Sequence, residues 1–518
     1  MTPRRILLRD AQVLLGDDFV FDGCLRDVLI EGGRIAAIEP AGRIASQGFD
    51  EVIGLAGRLL APGLVNGHQH SHEHFQRGRT ENLPLELWQH MVRGRMPVRL
   101  TARQAYLRAM IGAIEALRTG CTTLVDDLAL GGAIDREVVD AVLRAYDDCG
   151  VRALLGFAMM DKPMVDNFPF VDDLLPPDLL KSLRQSPRPA GEDFLALMRD
   201  LVPTRHPHRR RVGVLVSASA PQRCTEPFLL TLRGLADEYG LPVITHVQET
   251  RLQVVSGLQF YGSPMVEYLA RIGFLKPATS LIHAVWLNPR EMARMADSGA
   301  TAQHNPWSNL LLGSGVQPVR ELLDAGVNVS LGSDGSCSTV STNMLQVVGT
   351  AAGLSKLRGT DGGRWLSARE AWRAGTLGGG RALGFGDSLG SLRVGARADL
   401  VGYRLDTVTF TPLNDPLRQL AYGERGAGID YVMVDGETVL REGRLTRVDE
   451  AALLAEIAQE FEGLRERYAT AEADAAPVIE AMEAVYRRSL QLPVPADTYP
   501  ALLGCGNPVH PAAPGVSA

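Results

Sequence analysis

Apolar and polar positions change rhythm twice along this chain. Up to about residue 60, and again from about 390 to 447, short apolar segments are broken by glycine turns: 5–8, 13–15, 27–31 and 35–38 at the start, 393–401 and 431–437 near the end. The Gly32-Gly33 pair between two such segments predicts a hairpin. Neither end carries enough strands to bury a core alone. Residues 1–60 and 385–447 are therefore expected to join in one small β-sandwich.

Between them, over 61–384, apolar strands alternate with helical segments, the pattern of a parallel sheet covered by helices. The strand candidates are 60–68, 122–126, 152–157, 213–217, 242–246, 280–283, 301–304 and 327–332. Eight such units favour a closed barrel over an open sheet. The expected fold class is α/β: a (β/α)8 TIM barrel, the terminal β-sandwich, and a helical C-terminal extension over 448–518. Residues 102–119 have apolar positions at helical spacing, with Gly120 as the cap. The proline- and aspartate-rich stretch 159–189 follows the third strand and is a candidate substrate lid. A helical pair on the barrel exterior is expected from 449–492, and 504–518 reads as a closing arm or a disordered tail.

Five residues carry the candidate chemistry. His68 and His70 stand one strand period apart at the end of an apolar run, so both imidazoles face the same side; His246, His283 and Asp334 each end another run. A lone histidine is ordinarily a satisfied core or surface residue. Four of the chain's 11 histidines at the carboxyl ends of candidate strands 1, 5 and 6, joined by Asp334 at strand 8, form a constellation instead. Imidazole nitrogens and a carboxylate oxygen suit zinc or ferrous iron, and three nitrogens plus one carboxylate leave a position for water. The expected chemistry is a metal-activated hydroxide.

Composition narrows the partners. With 45% hydrophobic and 22% charged residues the chain reads as ordinary globular protein. The net charge of -7, from 53 basic and 60 acidic residues, comes with no long basic tract, which argues against nucleic acid. The short basic cluster 206–211 reads as a solvated loop. Six scattered cysteines without a Cys-x-x-Cys pair are expected as reduced thiols. No apolar run reaches the ~18 residues of a membrane span, so no membrane partner and a cytoplasmic location are expected.

The motifs also resemble a known family. Pro62-Gly63-Leu64-Val65-Asn66-Gly67-His68-Gln69-His70, Thr245-His246-Val247-Gln248-Glu249-Thr250, Ile282-His283-Ala284-Val285, His304-Asn305-Pro306-Trp307-Ser308-Asn309 and Leu331-Gly332-Ser333-Asp334-Gly335 are similar to those of the amidohydrolase superfamily. The resemblance is to its mononuclear deaminases and chlorohydrolases, which act on nitrogen heterocycles such as adenosine derivatives, guanine and s-triazines. It implies His68, His70, His246 and Asp334 as metal ligands, His283 as a hydrogen-bonding partner of the reacting group, and Glu249 as proton shuttle. Strand 4 lacks the lysine that bridges two metals in binuclear relatives, so one divalent ion is implied, zinc or iron(II). The resemblance further implies a small-molecule substrate and a homodimer or higher homo-oligomer. The function expected is deamination of a nitrogen heterocycle. Hydrolysis of an acyclic amide, urea or carbamate is the alternative, and an inactive barrel assembly protein is the non-enzyme alternative.

Departures bear on the substrate. Where many relatives carry a histidine after strand 4, this chain has Ser219, and Arg223 nearby offers a guanidinium to a carbonyl or an acidic group. His72 and His74 are read as pocket-lining or hydrogen-bonded residues, not a second metal site. Trp88, Ser219, Arg223, His304, Asn305 and Trp307 are the candidate substrate contacts, the two tryptophans as stacking surfaces.

Overall fold

The computed structural model describes residues 3–45, 47–92 and 98–499. The first expected strand, 60–68, is two strands meeting at Gly63: Arg58–Pro62 belongs to the terminal sheet and Leu64–Gln69 to the barrel. A Cβ at Gly63 would lie 2.1 Å from the Thr122 hydroxyl oxygen. Only glycine lets the backbone pass that close, and the apolar run alone could not reveal the change of sheet.

The barrel strands are β1 (Leu64–Gln69), β2 (Cys121–Asp127), β3 (Arg152–Gly156), β4 (Val212–Val214 continued by Val216–Ser217), β5 (Val243–Val247), β6 (Thr279–His283), β7 (Thr301–His304) and β8 (Asn328–Leu331). Parallel ladders run β1–β2–β3–β4 and β4–β5–β6–β7–β8, the first half of β4 pairing with β3 and the second with β5. Just beyond β8, the Asp334 N–H donates to the His68 carbonyl at 2.9 Å, and the Asn66 amide donates to the Ser333 hydroxyl at 2.9 Å. Val65, Val125, Leu154, Leu215, Ile244 and Ile282, one from each of β1 to β6, fill the interior with Leu383, Phe385 and Leu389. The barrel is thus a packed core whose free surface is at its ends.

Both chain termini contribute to a single nine-stranded sheet. Its order runs Arg444–Leu445, Glu437–Arg441, Ile429–Val434, Leu400–Arg404, Arg58–Pro62, Arg5–Val13, Leu25–Glu31, Arg34–Pro40, with Glu51–Gly54 also paired to Arg5–Val13. The expected segment 5–8 lies in one strand, Arg5–Val13, which ends where the expected segment 13–15 begins. The sheet encloses its own core, with Ile6, Val28, Ile30, Leu60, Leu400 and Met433 at its centre. At the hairpin turn Gly32 and Gly33 have φ of +56° and +80°, and a Cβ on Gly33 would sit 2.8 Å from the Asp435 carbonyl.

Two further elements pack against the barrel. Within 159–189 the chain forms short helices at Val171–Leu174 and Pro177–Arg184. The expected helical pair at the C-terminus is instead one helix, Glu450–Leu490, that continues through Pro477. Its buried residues Leu453, Ile457, Leu464, Tyr468, Ala475, Val478, Met482, Val485 and Ser489 recur at helical spacing, so one face stays packed along the whole length. That burial outweighs the backbone hydrogen bond lost at proline. Val478, Met482 and Val485 pack with Leu87, Phe168, Val171 and Leu252, so the helix clamps the 159–189 segment. Among the described residues no helix is long and apolar enough to cross a membrane. The expected tail 504–518 lies outside the described residues.

Candidate metal centre

β1, β5, β6 and β8 end on one face of the barrel and bring the five candidate residues together. His68 and His246 lie inside β1 and β5, while His70 and Asp334 stand just past β1 and β8. His283 closes β6. His283 and Asp334 have φ of +69° and +68°, a left-handed backbone that non-glycine residues adopt only under constraint, and it turns both side chains inward. Ligand atoms of His68, His70 and His246 lie within 4.8 Å of one another, as do those of His68, His283 and Asp334.

Hydrogen bonds set which nitrogen of each ring points inward. His70 Nδ1 lies 2.7 Å from the Asp127 carbonyl and His246 Nδ1 2.7 Å from the Ser219 carbonyl. A carbonyl only accepts, so both rings carry their proton on Nδ1 and turn the Nε2 lone pair toward the cluster. His283 Nδ1 is held at 2.9 Å by the Asn309 side-chain oxygen. Asp334 accepts from the Ser308 hydroxyl at 2.6 Å and from the Gly335 N–H at 2.7 Å.

Separations within the cluster fit a bound cation. His68 Nε2 and His70 Nε2 stand 3.5 and 3.4 Å from Asp334 Oδ1. Bonds of about 2.1 Å at tetrahedral angles put neighbouring ligand atoms about 3.4 Å apart. Burial, followed by the neighbouring imidazoles of His68, His70 and His283, holds His246 well below the usual histidine range, so it is a neutral donor. Burial alone would raise Asp334, but the hydrogen bond from His68 and the surrounding imidazoles hold it well below the usual carboxylate range. Imidazole nitrogens around a carboxylate oxygen are a donor set that suits a divalent ion.

Glu249 lies beside this cluster. Its Oε2 is 3.5 Å from His283 Nε2, its Oε1 has no hydrogen-bond partner among the described residues, and its side chain is 4% exposed. Burial pushes it up to about 7, against the opposing pull of His283. Its backbone N–H is fixed by Gln253 at 2.9 Å.

The expected substrate contacts divide. Ser219 and Arg223 are buried next to His246, and Arg223 donates to the Ser219 hydroxyl at 3.1 Å. Trp88 packs with Leu85, Leu312 and Cys337, its indole N–H on Thr80 at 3.1 Å. Trp307 donates to the Thr339 carbonyl at 3.1 Å. Asn305 accepts from Gln303 at 3.3 Å beneath the strand ends. His304 lines a separate cavity of about 200 Å³ with Val316, Gln317, Arg358 and Trp365. Strand alternation explains this: Gln303 packs against Gly67 inside the barrel, so its neighbour turns outward. His74 is buried and bonded to the Ser336 hydroxyl.

Helix Leu85–Val92 supplies groups that the sequence reading passed over. Glu86 is 2% exposed, accepts from the hydroxyl of Thr250 next to Glu249, and has Oε2 without a hydrogen-bond partner among the described residues. Gln89, one turn on, accepts from Arg223 at 3.1 Å. Polar residues at 86, 89 and 90 share one face of an otherwise apolar helix, and that i, i+3, i+4 spacing was the available signal.

Eight parallel strands with a histidine and carboxylate cluster at their carboxyl ends define a metal-site barrel. The chain belongs to the amidohydrolase family, whose model matches residues 59–439. It is 33% identical over 440 residues to the 5'-deoxyadenosine deaminase of Methanothermobacter thermautotrophicus, covering 85% of this chain and 95% of that protein. It is 31% identical over 436 residues to the 5-methylthioadenosine/S-adenosylhomocysteine deaminase of Thermococcus kodakarensis, covering 84% of this chain and 94% of that one. Among solved structures, an adenosine deaminase from Xanthomonas campestris with bound zinc superposes with a TM-score of 0.77 at 27% identity, covering 90% of this chain and 99% of that chain.

Proposed function

We propose that this protein is a metal-dependent hydrolase that replaces an amino group on a nitrogen heterocycle by hydroxyl, releasing ammonia. The observation that supports the reading is a pair of buried groups sharing His68, one with His70 and His246 and the other with His283 and Asp334, with Asp334 also 3.4 Å from His70 Nε2 and Glu249 beside His283. The named relatives are deaminases of adenosine derivatives, which supports the same class of ring substrate here.

In this reading His68, His70, His246 and Asp334 hold one divalent ion. The ion supplies Lewis acidity and lowers the pKa of water from ~16 to about 7. The attacking water contributes its oxygen to the ring carbon and gives up a proton that Asp334 can accept. Glu249 delivers the proton it holds to the ring nitrogen, takes up the proton that the water left on Asp334 and gives that one to the departing amine. The added hydroxyl then returns a proton to Glu249, so that ring amine and water become the ring lactam, the tautomer of the hydroxylated ring, and ammonia. His283, with its Nδ1 proton committed to Asn309, presents Nε2 to the reacting group and fixes its orientation.

Zinc is proposed as the native ion in preference to iron(II), because three imidazoles and one carboxylate suit its flexible geometry. The zinc-bound Xanthomonas structure supports that choice. A homo-oligomer, a reducing cytoplasmic setting for the thiols, and the division into 1–60 with 385–447, 61–384 and 448–518 belong to the same proposal.

The test is metal content measured together with ammonia release across aminopurines, aminopyrimidines, pterins, aminotriazines and substituted ureas, for the wild type and Glu249→Gln. About one zinc per chain and ammonia from a ring amine are expected. Glu249→Gln should keep its metal and lose roughly 10²- to 10⁴-fold in kcat. Turnover of ureas alone, or an active protein without metal, overturns the reading.

A further inference from the structure

We propose that Asp127 is a positioning residue of the metal centre, one that orients His70 through its backbone carbonyl and strengthens His246 as a ligand through its carboxylate. The proposal rests on the metal-centre reading above and is independent of which ring amine is the substrate. Asp127 is the last residue of β2 and is fully buried. From there it reaches toward β1, β3 and β5. Its carbonyl lies 2.7 Å from Nδ1 of His70, just past β1. Its Oδ1 accepts the N–H of Ala158, just past β3, at 2.8 Å. Its Oδ2 has no hydrogen-bond partner among the described residues and stands 4.0 Å from Nδ1 of His246, in β5.

The preceding acid shows what a carboxylate committed to the scaffold looks like at the same strand end. Asp126 is equally buried, but its Oδ1 accepts the Ser71 N–H and its Oδ2 the Tyr146 hydroxyl, both at 2.7 Å. Asp127 instead leaves one oxygen unanswered and sets it beside a ligand ring. Burying such an oxygen is costly, and a cation on the Nε2 side of that ring would offset the cost.

The two ligand strands it serves are not adjacent: β1 pairs with β2, and β5 with β4 and β6. Yet the His70 and His246 rings lie parallel, 6° apart with centroids 5.5 Å from each other. Asp127 touches the Nδ1 side of both. At 4.0 Å its Oδ2 is too far to take the His246 proton, which goes to the Ser219 carbonyl at 2.7 Å. The carboxylate therefore acts by charge. A negative group beside Nδ1–H draws positive charge toward that end of the ring and leaves Nε2 a stronger donor to a divalent ion. The backbone carbonyls of Asp127 and Ser219 fix the tautomers of the two rings, and the Asp127 side chain adds the charge that neither carbonyl supplies.

Zinc affinity, measured by competition with a chelator, tests the assignment in the wild type, Asp127→Asn and Asp127→Ser. Both substitutions keep an oxygen for the Ala158 N–H and the backbone carbonyl for His70, and both remove the charge. Each variant should bind zinc roughly 10- to 100-fold more weakly than the wild type. The thermal midpoint of metal-free Asp127→Asn should be no lower than that of the metal-free wild type, because an unanswered buried charge has been removed. With zinc in excess, KM for a ring amine that the wild type turns over should be unchanged and any loss confined to kcat. If one variant does not fold, as judged by circular dichroism, the other decides. Undiminished zinc affinity in a folded variant, a lowered metal-free midpoint in Asp127→Asn, or failure of both variants to fold makes the carboxylate a structural group, which overturns the assignment and leaves the metal centre standing. A wild type that binds no zinc overturns both.

Discussion

The two ends of the barrel bury charge in opposite ways. At the amino-terminal end, Arg152 opens β3 with a side chain that is 1% exposed, and its guanidinium meets Asp399 at 3.1 Å and Asp435 at 3.0 Å. Arg397 donates to the same Asp435 oxygen at 2.9 Å, and both guanidiniums lie over the Phe385 ring. Positive and negative groups there answer one another, so the cluster is complete in itself. At the carboxyl-terminal end, imidazoles and a carboxylate gather in two buried groups that share His68, a donor set that a cation brought from outside would answer. Buried charge that is satisfied locks the terminal sheet to the barrel; buried donors that converge make a site.

The sharpest way to break this contrast is to remove a convergent donor. Asp334→Ala should reduce metal content well below one ion per chain and take ammonia release to background, and in the wild type a chelator should lower the thermal midpoint, since the ion binds only the folded state. Full metal and activity in that variant would mean the convergence is coincidental.

Next in size is the loss of a satisfied group. Arg152→Met should destabilise the protein by about 3–5 kcal/mol in urea unfolding, because it leaves carboxylates buried without their cation. Metal bound per folded chain should not change. The same cluster carries a pH dependence. Burial alone would raise Asp435, but Arg152 and Arg397 hold it below the usual carboxylate range. Its contribution is therefore present above that range and lost as pH falls from there through the lowered folded value. Acid unfolding of Arg152→Met should show a weaker dependence in that window.

Asn309→Ala sharpens the upper end. It removes the partner of His283 Nδ1, and activity should fall by about 10- to 100-fold while metal content holds. The smallest effect is expected where charge is solvated. Arg136 meets Asp140 and Asp200 with half its side chain exposed, so Arg136→Ala should shift stability by less than about 1 kcal/mol.

Much of the upper end was legible in the sequence. The His68 and His70 spacing, and the strand ends at His246, His283 and Asp334, are short-range patterns that survive folding unchanged. Glu249 follows His246 by three residues, and the turn after β5 has only one side of the barrel on which to place it. What the pattern could not show was whatever depends on a distant neighbour. The break at Gly63 is set by Thr122, the outward turn of His304 by the packing of Gln303 against Gly67, and the unbroken C-terminal helix by the faces it covers. Gln89 and Arg223, 134 positions apart, meet only because the first helix folds over the end of β4.

By itself, then, the sequence determined the alternation of strand and helix, the joining of both termini in one β module, and the residue types of the candidate centre, because periodicity and local spacing encode which face a side chain occupies. The tertiary structure alone decided which atoms converge, which ring nitrogens point inward, and what braces the Arg223 guanidinium. Those outcomes rest on hydrogen bonds between residues far apart in the chain, such as His70 to the Asp127 carbonyl and His246 to that of Ser219, whose partners come within reach only when the barrel is formed.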